Sequence, residues 1–284
     1  MSLLVTPEWV AGRLQQPGIV LLDATLPPVG VTPPPDVRSR YLAQHLPGAV
    51  FFDIERLSDK TTSLPHMLPT AENFARSMAE LGIADTMTIV VYEQANVFSA
   101  PRAWWMLRTF GAQHVHVLDG GLQAWTQAGL PTEAGPVQRS ATTFHASLQA
   151  DAVQDFAQLQ GALANHDTVL DARSFGRFSG TSPEPRAGLH AGHMPGATNM
   201  PYTDLVQANR FKTIDELRAV FAEKNVNLQQ PITTTCGSGI TAAVIALGLE
   251  ICGAKHIRLY DGSWAEYAQH PEAIIHGSFT STAR

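Results

Sequence analysis

Thr233-Thr234-Thr235-Cys236-Gly237-Ser238-Gly239-Ile240-Thr241-Ala242-Ala243 sets a thiol where a strand-forming segment gives way, through two glycines, to a helix-forming one. β-Branched threonines favour extended backbone. The glycines allow turns that other residues resist, and the alanine-rich apolar run that follows predicts a buried helix. A strand that loops straight into a helix is the repeating unit of an α/β fold. It also brings backbone N–H groups and the positive end of the helix dipole to the sulfur, which favours a thiolate and any anion formed on it. Cys236 is therefore the candidate nucleophile.

The second cysteine, Cys252, ends the apolar run Val244 to Ile251 just before Gly253, and reads as core packing near a helix end. A helix over residues 240–252 separates the two thiols by about 18 Å at 1.5 Å per residue, too far for a disulfide. Both are expected to stay reduced.

The pattern around the thiol belongs to a duplication. Leu21-Leu22-Asp23-Ala24 returns as Val169-Leu170-Asp171-Ala172, and His45-Leu46-Pro47-Gly48-Ala49 as His193-Met194-Pro195-Gly196-Ala197, both at the same separation in the chain. Val117-Leu118-Asp119-Gly120-Gly121 returns as Leu259-Tyr260-Asp261-Gly262-Ser263. Each half alternates β-branched runs (89–92, 257–260) with helix-like segments (71–81, 214–224), which predicts a mostly parallel sheet flanked by helices. Periodicity fades over residues 131–150, the expected linker, so the domains are read as 1–140 and 150–284. Pro27 to Pro35 reads as a rigid loop. Aligning Ile232–Cys236 with Thr88–Tyr92 puts Tyr92 at the cysteine position of the first half, which makes that half non-catalytic. The paired Trp104 and Trp105 serve burial, and His45 and His193, present in both halves, serve architecture.

Composition narrows the function. The chain has 284 residues, 44% hydrophobic and 15% charged, enough for two ordinary domains. A net charge of −6 leaves no basic stripe for nucleic acid. No stretch reaches the roughly 18 apolar residues of a membrane span. Two cysteines and no charged-then-apolar leader before Thr6 lead to the expectation of a soluble cytoplasmic protein.

Two chemistries use a cysteine in such a loop: phosphate ester hydrolysis and sulfur transfer through a persulfide. The first needs an arginine six residues on to clamp phosphoryl oxygens, and that position is Ala242. The duplicated halves, His-x-Pro-Gly-Ala, Asp-Gly-Gly/Ser and Cys-Gly-Ser-Gly-Ile-Thr-Ala together resemble the rhodanese superfamily over nearly the whole chain. That resemblance implies two tandem rhodanese-like α/β domains and a sulfurtransferase that stores sulfur on Cys236. Thiosulfate-specific members carry basic residues directly after the cysteine. Gly237 and Ser238 are neutral instead, the pattern associated with 3-mercaptopyruvate as donor.

The resemblance also implies site residues. Arg177 and Arg186, in Gly176-Arg177-Phe178 and Glu184-Pro185-Arg186, are expected to clamp the donor carboxylate, a task suited to the guanidinium fork. Physics alone leaves open that they are solvated, or that Arg186 pairs with Glu184. Amides from Gly237 through Gly239 and Ile240 to Thr241 are expected to hold the sulfur anion. Ser238 and His66, of His66-Met67-Leu68-Pro69, are implied to form a relay with Glu55, where mammalian relatives have aspartate. Because His66 lies in the first half of the sequence, the relay requires it to face the second. No metal or organic cofactor is implied, and the acceptor is cyanide or a thiol such as that of thioredoxin. The alternatives are a thiosulfate sulfurtransferase and a non-enzymatic rhodanese-like binding scaffold.

Overall fold

The computed structural model describes residues 2–277. The chain forms two compact units, one of Met1–Thr61, Leu68–Ala150 and Val206–Phe211, the other of Thr62–Met67, Asp151–Leu205 and Lys212–Arg284.

In the first unit, strands β1 (Leu4–Val5), β2 (Ile19–Asp23), β3 (Val50–Phe51), β4 (Thr88–Tyr92) and β5 (His114–Leu118) form a parallel sheet in the order β1-β5-β4-β2-β3. Its helices are α1 (Pro7–Ala11), α2 (Val37–Ala43), α3 (Ile54–Leu57), α4 (Ala71–Glu80), α5 (Ala100–Thr109) and α6 (Gly121–Gln127). The second unit repeats the plan with β6 (Val153–Gln154), β7 (Thr168–Asp171) and β8 (Thr198–Asn199). A short antiparallel hairpin, β9 (Val206–Gln207) and β10 (Arg210–Phe211), belongs to the first unit. β11 (Ile232–Thr235) and β12 (Ile257–Tyr260) complete the second sheet, in the order β6-β12-β11-β7-β8. Helices α7 (Phe156–Ala164), α8 (Phe175–Ser179), α9 (Ile214–Glu223), α10 (Ala242–Ile251) and α11 (Ser263–Tyr267) flank it. The two sheets share one strand order, as duplication requires.

Local chemistry fixes the ends of these elements. Capping boxes start α7 (Asp155 with Gln158) and α9 (Thr213 with Glu216). α10 is apolar on every face because it is buried on every face: Val244, Ile245, Leu247 and Leu249 have no exposed surface. Each contributes about 1.5–3 kcal/mol by leaving water. The threonines of the central strand β11 are buried too. They find partners, Thr233 Oγ1 donating to Gln154 Oε1 at 2.8 Å and Thr234 Oγ1 to the Arg258 carbonyl at 3.4 Å.

Three sequence expectations change. Residues 131–150 are not a free linker but a strap on the first unit, where Thr142 N–H donates to Ala79 O and Ser147 N–H to Phe110 O, and Phe144 packs edge-on against Phe74. Two short segments depart from the contiguous ranges 1–140 and 150–284: 62–67 groups with the second unit and 206–211 with the first. His66 thus belongs to the unit of Cys236 despite its place in the sequence.

The third change concerns Tyr92. Asp23 stands opposite Tyr92, and Asp171 opposite Thr235. Ala24 N–H donates to Tyr92 O and Ala172 N–H to Thr235 O, while Leu122 N–H donates to Glu93 O and Trp264 N–H to Cys236 O. The counterpart of Cys236 is therefore Glu93, one residue beyond Tyr92. The β-branched runs 88–91 and 232–235 carry no internal mark of register, and a slip of one residue turns each side chain to the opposite face.

Trp104 and Trp105 lie buried in α5, as expected of packing residues. His45 bridges backbone carbonyls of Leu46 and Gly135, and His193 meets the Phe178 carbonyl and stacks on its ring with centroids 4.1 Å apart, so both hold turns in place.

Candidate active site

The site lies in the second unit, where β11 ends and α10 has yet to begin. Cys236 follows the last residue of β11 and is buried, 2% exposed. The carbonyls of Cys236 and Gly237 accept the N–H groups of Trp264 and Ala265, at 2.9 and 3.0 Å, from the start of α11. In a trans peptide the N–H points opposite to the C=O. The N–H groups of Gly237 and Ser238 are thereby aimed away from α11. Gly239 closes the loop with φ of +78°, a conformation that favours glycine.

Ser263, which the sequence reading passed over, locks this loop from behind. Its side chain is fully buried, and its Oγ accepts the N–H of Gly239 at 3.0 Å and of Cys236 at 3.3 Å while donating to the Tyr260 carbonyl. The structure thus directs the Gly239 N–H to Ser263, so that Gly239 shapes the loop. The signal for Ser263 lay in the imperfect repeat, because its counterpart is Gly121, with φ of +53° against +50° for Ser263. A Cβ on Gly121 would lie 2.2 Å from the Glu93 carbonyl, so the first unit cannot carry this serine without moving.

Arg186, Ser238 and His66 come together beside the thiol. Arg186 Nη2 donates to Ser238 Oγ at 3.1 Å, and His66 Nδ1 lies 3.0 Å from the same oxygen. Having accepted from Arg186, the Ser238 hydroxyl can give its own proton to Nδ1. His66 is 3% exposed and holds φ at +61°, a left-handed backbone costing on the order of 1 kcal/mol for a non-glycine residue. Glu55 occupies the first turn of α3 in the first unit, at an exposed position.

Arg177, on α8, grips Glu184: its Nε lies 3.1 Å and its Nη2 2.5 Å from Glu184 Oε2. Glu184 also accepts from Arg173 Nη1 at 2.8 Å. Arg173 in turn forks onto Asp171 at the end of β7, donates to the Gly192 carbonyl and sits over the Trp264 ring at 4.0 Å. Glu184 therefore holds both Arg177 and Arg173. Arg173 went unnoticed in sequence although it follows the repeated Leu-Asp-Ala motif, where the first half has Thr25. A Cβ at position 237 would lie 2.7 Å from Arg177 Nη2 and 3.7 Å from Arg186 Nη1, so both guanidiniums lean over the loop at the point where it carries no side chain.

The corresponding loop of the first unit holds its own anion. Glu93 Oε1 accepts the N–H groups of Phe98 and Ala100 at 2.8 and 3.1 Å, and Oε2 accepts the N–H and hydroxyl of Ser99 at 2.9 and 2.8 Å. Burial raises its carboxyl pKa to about 7 against these opposing hydrogen bonds. Cys252 closes α10, its thiol pushed up by burial, and both cysteines are unpaired. No His, Cys, Asp and Glu cluster able to hold a metal occurs among the described residues.

Two parallel α/β units of one topology, with a single glycine-lined cysteine loop between them in number, define a sulfur-handling repeat protein: the chain matches the rhodanese-like domain over residues 6–128 and 153–270 and belongs to that family. It is 44% identical to the 3-mercaptopyruvate sulfurtransferase of Escherichia coli strain K12 over 95% of this chain and 96% of that one. It is 39% identical to the thiosulfate sulfurtransferase of Gallus gallus over 93% of this chain and 92% of that one. The crystal structure of SseA from Escherichia coli, described among 3-mercaptopyruvate sulfotransferases, superposes with a TM-score of 0.86 at 43% identity, covering 93% of this chain and 99% of that one.

Proposed function

We propose that this protein is a 3-mercaptopyruvate sulfurtransferase working in the cytoplasm, with Cys236 as nucleophile and cyanide or a thiol such as that of thioredoxin as acceptor. Among the described residues no helix is long and apolar enough to cross a membrane.

The Cys236 thiolate attacks the thiol sulfur of the donor. The C–S bond breaks with its electron pair passing to carbon, pyruvate leaves as its enolate and takes up a proton, and Cys236 keeps the sulfur as a persulfide. In the second half-reaction the acceptor attacks the outer sulfur, the S–S bond breaks, and the Cys236 thiolate is restored as thiocyanate or an acceptor persulfide departs. Amides of Gly237, Ser238, Ile240 and Thr241 stabilise the sulfur anion. Arg177 and Arg186 take the carboxylate and keto oxygen of the donor, and the Ser238–His66 pair moves the proton.

The observation that carries this reading is the Arg186–Ser238–His66 chain set beside a buried thiol in a neutral loop. With no cation directly after the cysteine, a dianionic donor has less to hold it than a keto acid has. The test is the rate of sulfur transfer to cyanide from 3-mercaptopyruvate and from thiosulfate, with Cys236→Ser as control. A preference for 3-mercaptopyruvate that disappears in the variant is expected. A preference for thiosulfate refutes the donor assignment, and full activity in Cys236→Ser refutes the mechanism.

A further inference from the structure

We infer that His193 is a positioning residue for Arg177, an inference that rests on the proposed role of Arg177 as a donor clamp and deepens it. Helix α8, which carries Arg177, has five residues. A helix so short is not stable by itself in water, so its place is set by what its carbonyls meet outside it. Three successive carbonyls have such partners: Gly176 O accepts the N–H of Ser182 at 2.9 Å, Arg177 O the N–H of Gly192 at 3.1 Å, and Phe178 O the ring nitrogen Nδ1 of His193 at 2.9 Å. Gly192 and His193 thus grip the backbone at the residue whose guanidinium leans over Gly237, and at the residue after it.

His193 is itself fixed on two sides. A carbonyl can only accept, so Nδ1 carries the proton. The ring lies on that of Phe178 with centroids 4.1 Å and planes 13° apart. Its backbone is tied to the segment that ends the described chain: His193 N–H donates to His276 O at 2.9 Å, and His276 N–H donates to His193 O at 3.0 Å. A Cβ on Gly277 would lie 2.5 Å from Ser179 O, so the same segment also closes on the C-terminal end of α8.

The duplication separates this role from general architecture. His45 makes the same pair of backbone bonds, with Glu133. Its ring meets the carbonyls of Leu46 and Gly135 and stacks on Tyr41. One motif therefore serves a turn in the first unit, whereas in the second its ring reaches the helix that carries the clamp.

The experiment measures KM and kcat for 3-mercaptopyruvate, together with thermal stability, in variants of both histidines. His193→Phe keeps a ring against Phe178 and removes the Nδ1 donor; KM is expected to rise about tenfold with kcat changed less than about threefold. His193→Asn, whose amide nitrogen stands where Nδ1 stood, should return KM to within about threefold of wild type. His45→Phe, the equivalent change in the first unit, should alter thermal stability and leave KM at its wild-type value. A wild-type KM in His193→Phe overturns the inference, and so does an equal rise in His193→Asn or in His45→Phe. Arg177→Ala probes the reading beneath it and should raise KM at least as far as His193→Phe does. An unchanged KM in Arg177→Ala would instead refute the clamp, so the two failures are distinguishable.

Discussion

Glu93 turns the silent loop of the first unit into a pH-dependent part of the fold. Its carboxyl is buried among three amides and a hydroxyl, and burial raises its pKa from an ordinary 4.5 to about 7. The folded state then holds this proton more tightly than the unfolded chain does. The stabilisation is fully present below about pH 4.5 and is lost as pH rises through 7, because unfolding releases the buried carboxylate to water. Between pH 5 and pH 8 the loss amounts to about 2.5 kcal/mol by proton linkage. Four of the five tryptophans, Trp9, Trp104, Trp105 and Trp125, lie in the first unit, so urea unfolding followed by tryptophan fluorescence reports chiefly on it. Wild type should lose stability relative to Glu93→Gln over that pH range, since the glutamine cannot ionise. Other titrating groups affect both proteins alike and cancel in the comparison. Parallel pH profiles, or a wild type that gains on the variant as pH rises, would refute the reasoning.

Two further substitutions probe the second unit. Gly237→Ala places a methyl group 2.7 Å from Arg177 Nη2, and because Glu184 holds that fork, the guanidinium must shift from the loop. The expected result is a rise in KM for the keto-acid donor of about tenfold with little change in thermal stability, since misplacing a positioning group is costly. Arg173→Met leaves Asp171 and Glu184 buried without their shared cation. Stability should fall by about 3–5 kcal/mol, measurable by denaturant titration, whereas a loss below about 1 kcal/mol would mean the network contributes little.

The chemistry of the chain was legible from its short-range pattern. β-Branched Thr233–Thr235, the glycines around Ser238 and the apolar run through Leu249 favour a strand, a tight loop and a buried helix, and that order puts Cys236 in the turn between β11 and α10. Repetition of Leu-Asp-Ala and His-x-Pro-Gly-Ala made the doubling visible, because each motif sits at a strand end or turn whose geometry tolerates few residues. The arginines near position 180 were not legible in the same way: residue type and loop context alone left open that they are solvated, and the family resemblance is what pointed to them as carboxylate clamps.

Register and pairing were not legible. Whether Tyr92 or Glu93 stands opposite the loop depends on hydrogen bonds between β2 and β4, and strands made of interchangeable β-branched residues do not encode that step locally. That Glu184 binds Arg177 and Arg173 is decided by distances between α8, the end of β7 and the loop that follows α8, which adjacency in sequence does not give. Ser263 acquires its role only because α11 begins behind the cysteine loop, and His66 only because its segment packs with the unit to which Ser238 belongs. Sequence determined what each segment can become, since backbone propensity and polarity are local properties. Tertiary structure decided which segments meet, since hydrogen bonds and ion pairs require proximity in space, and burial then fixes their strength.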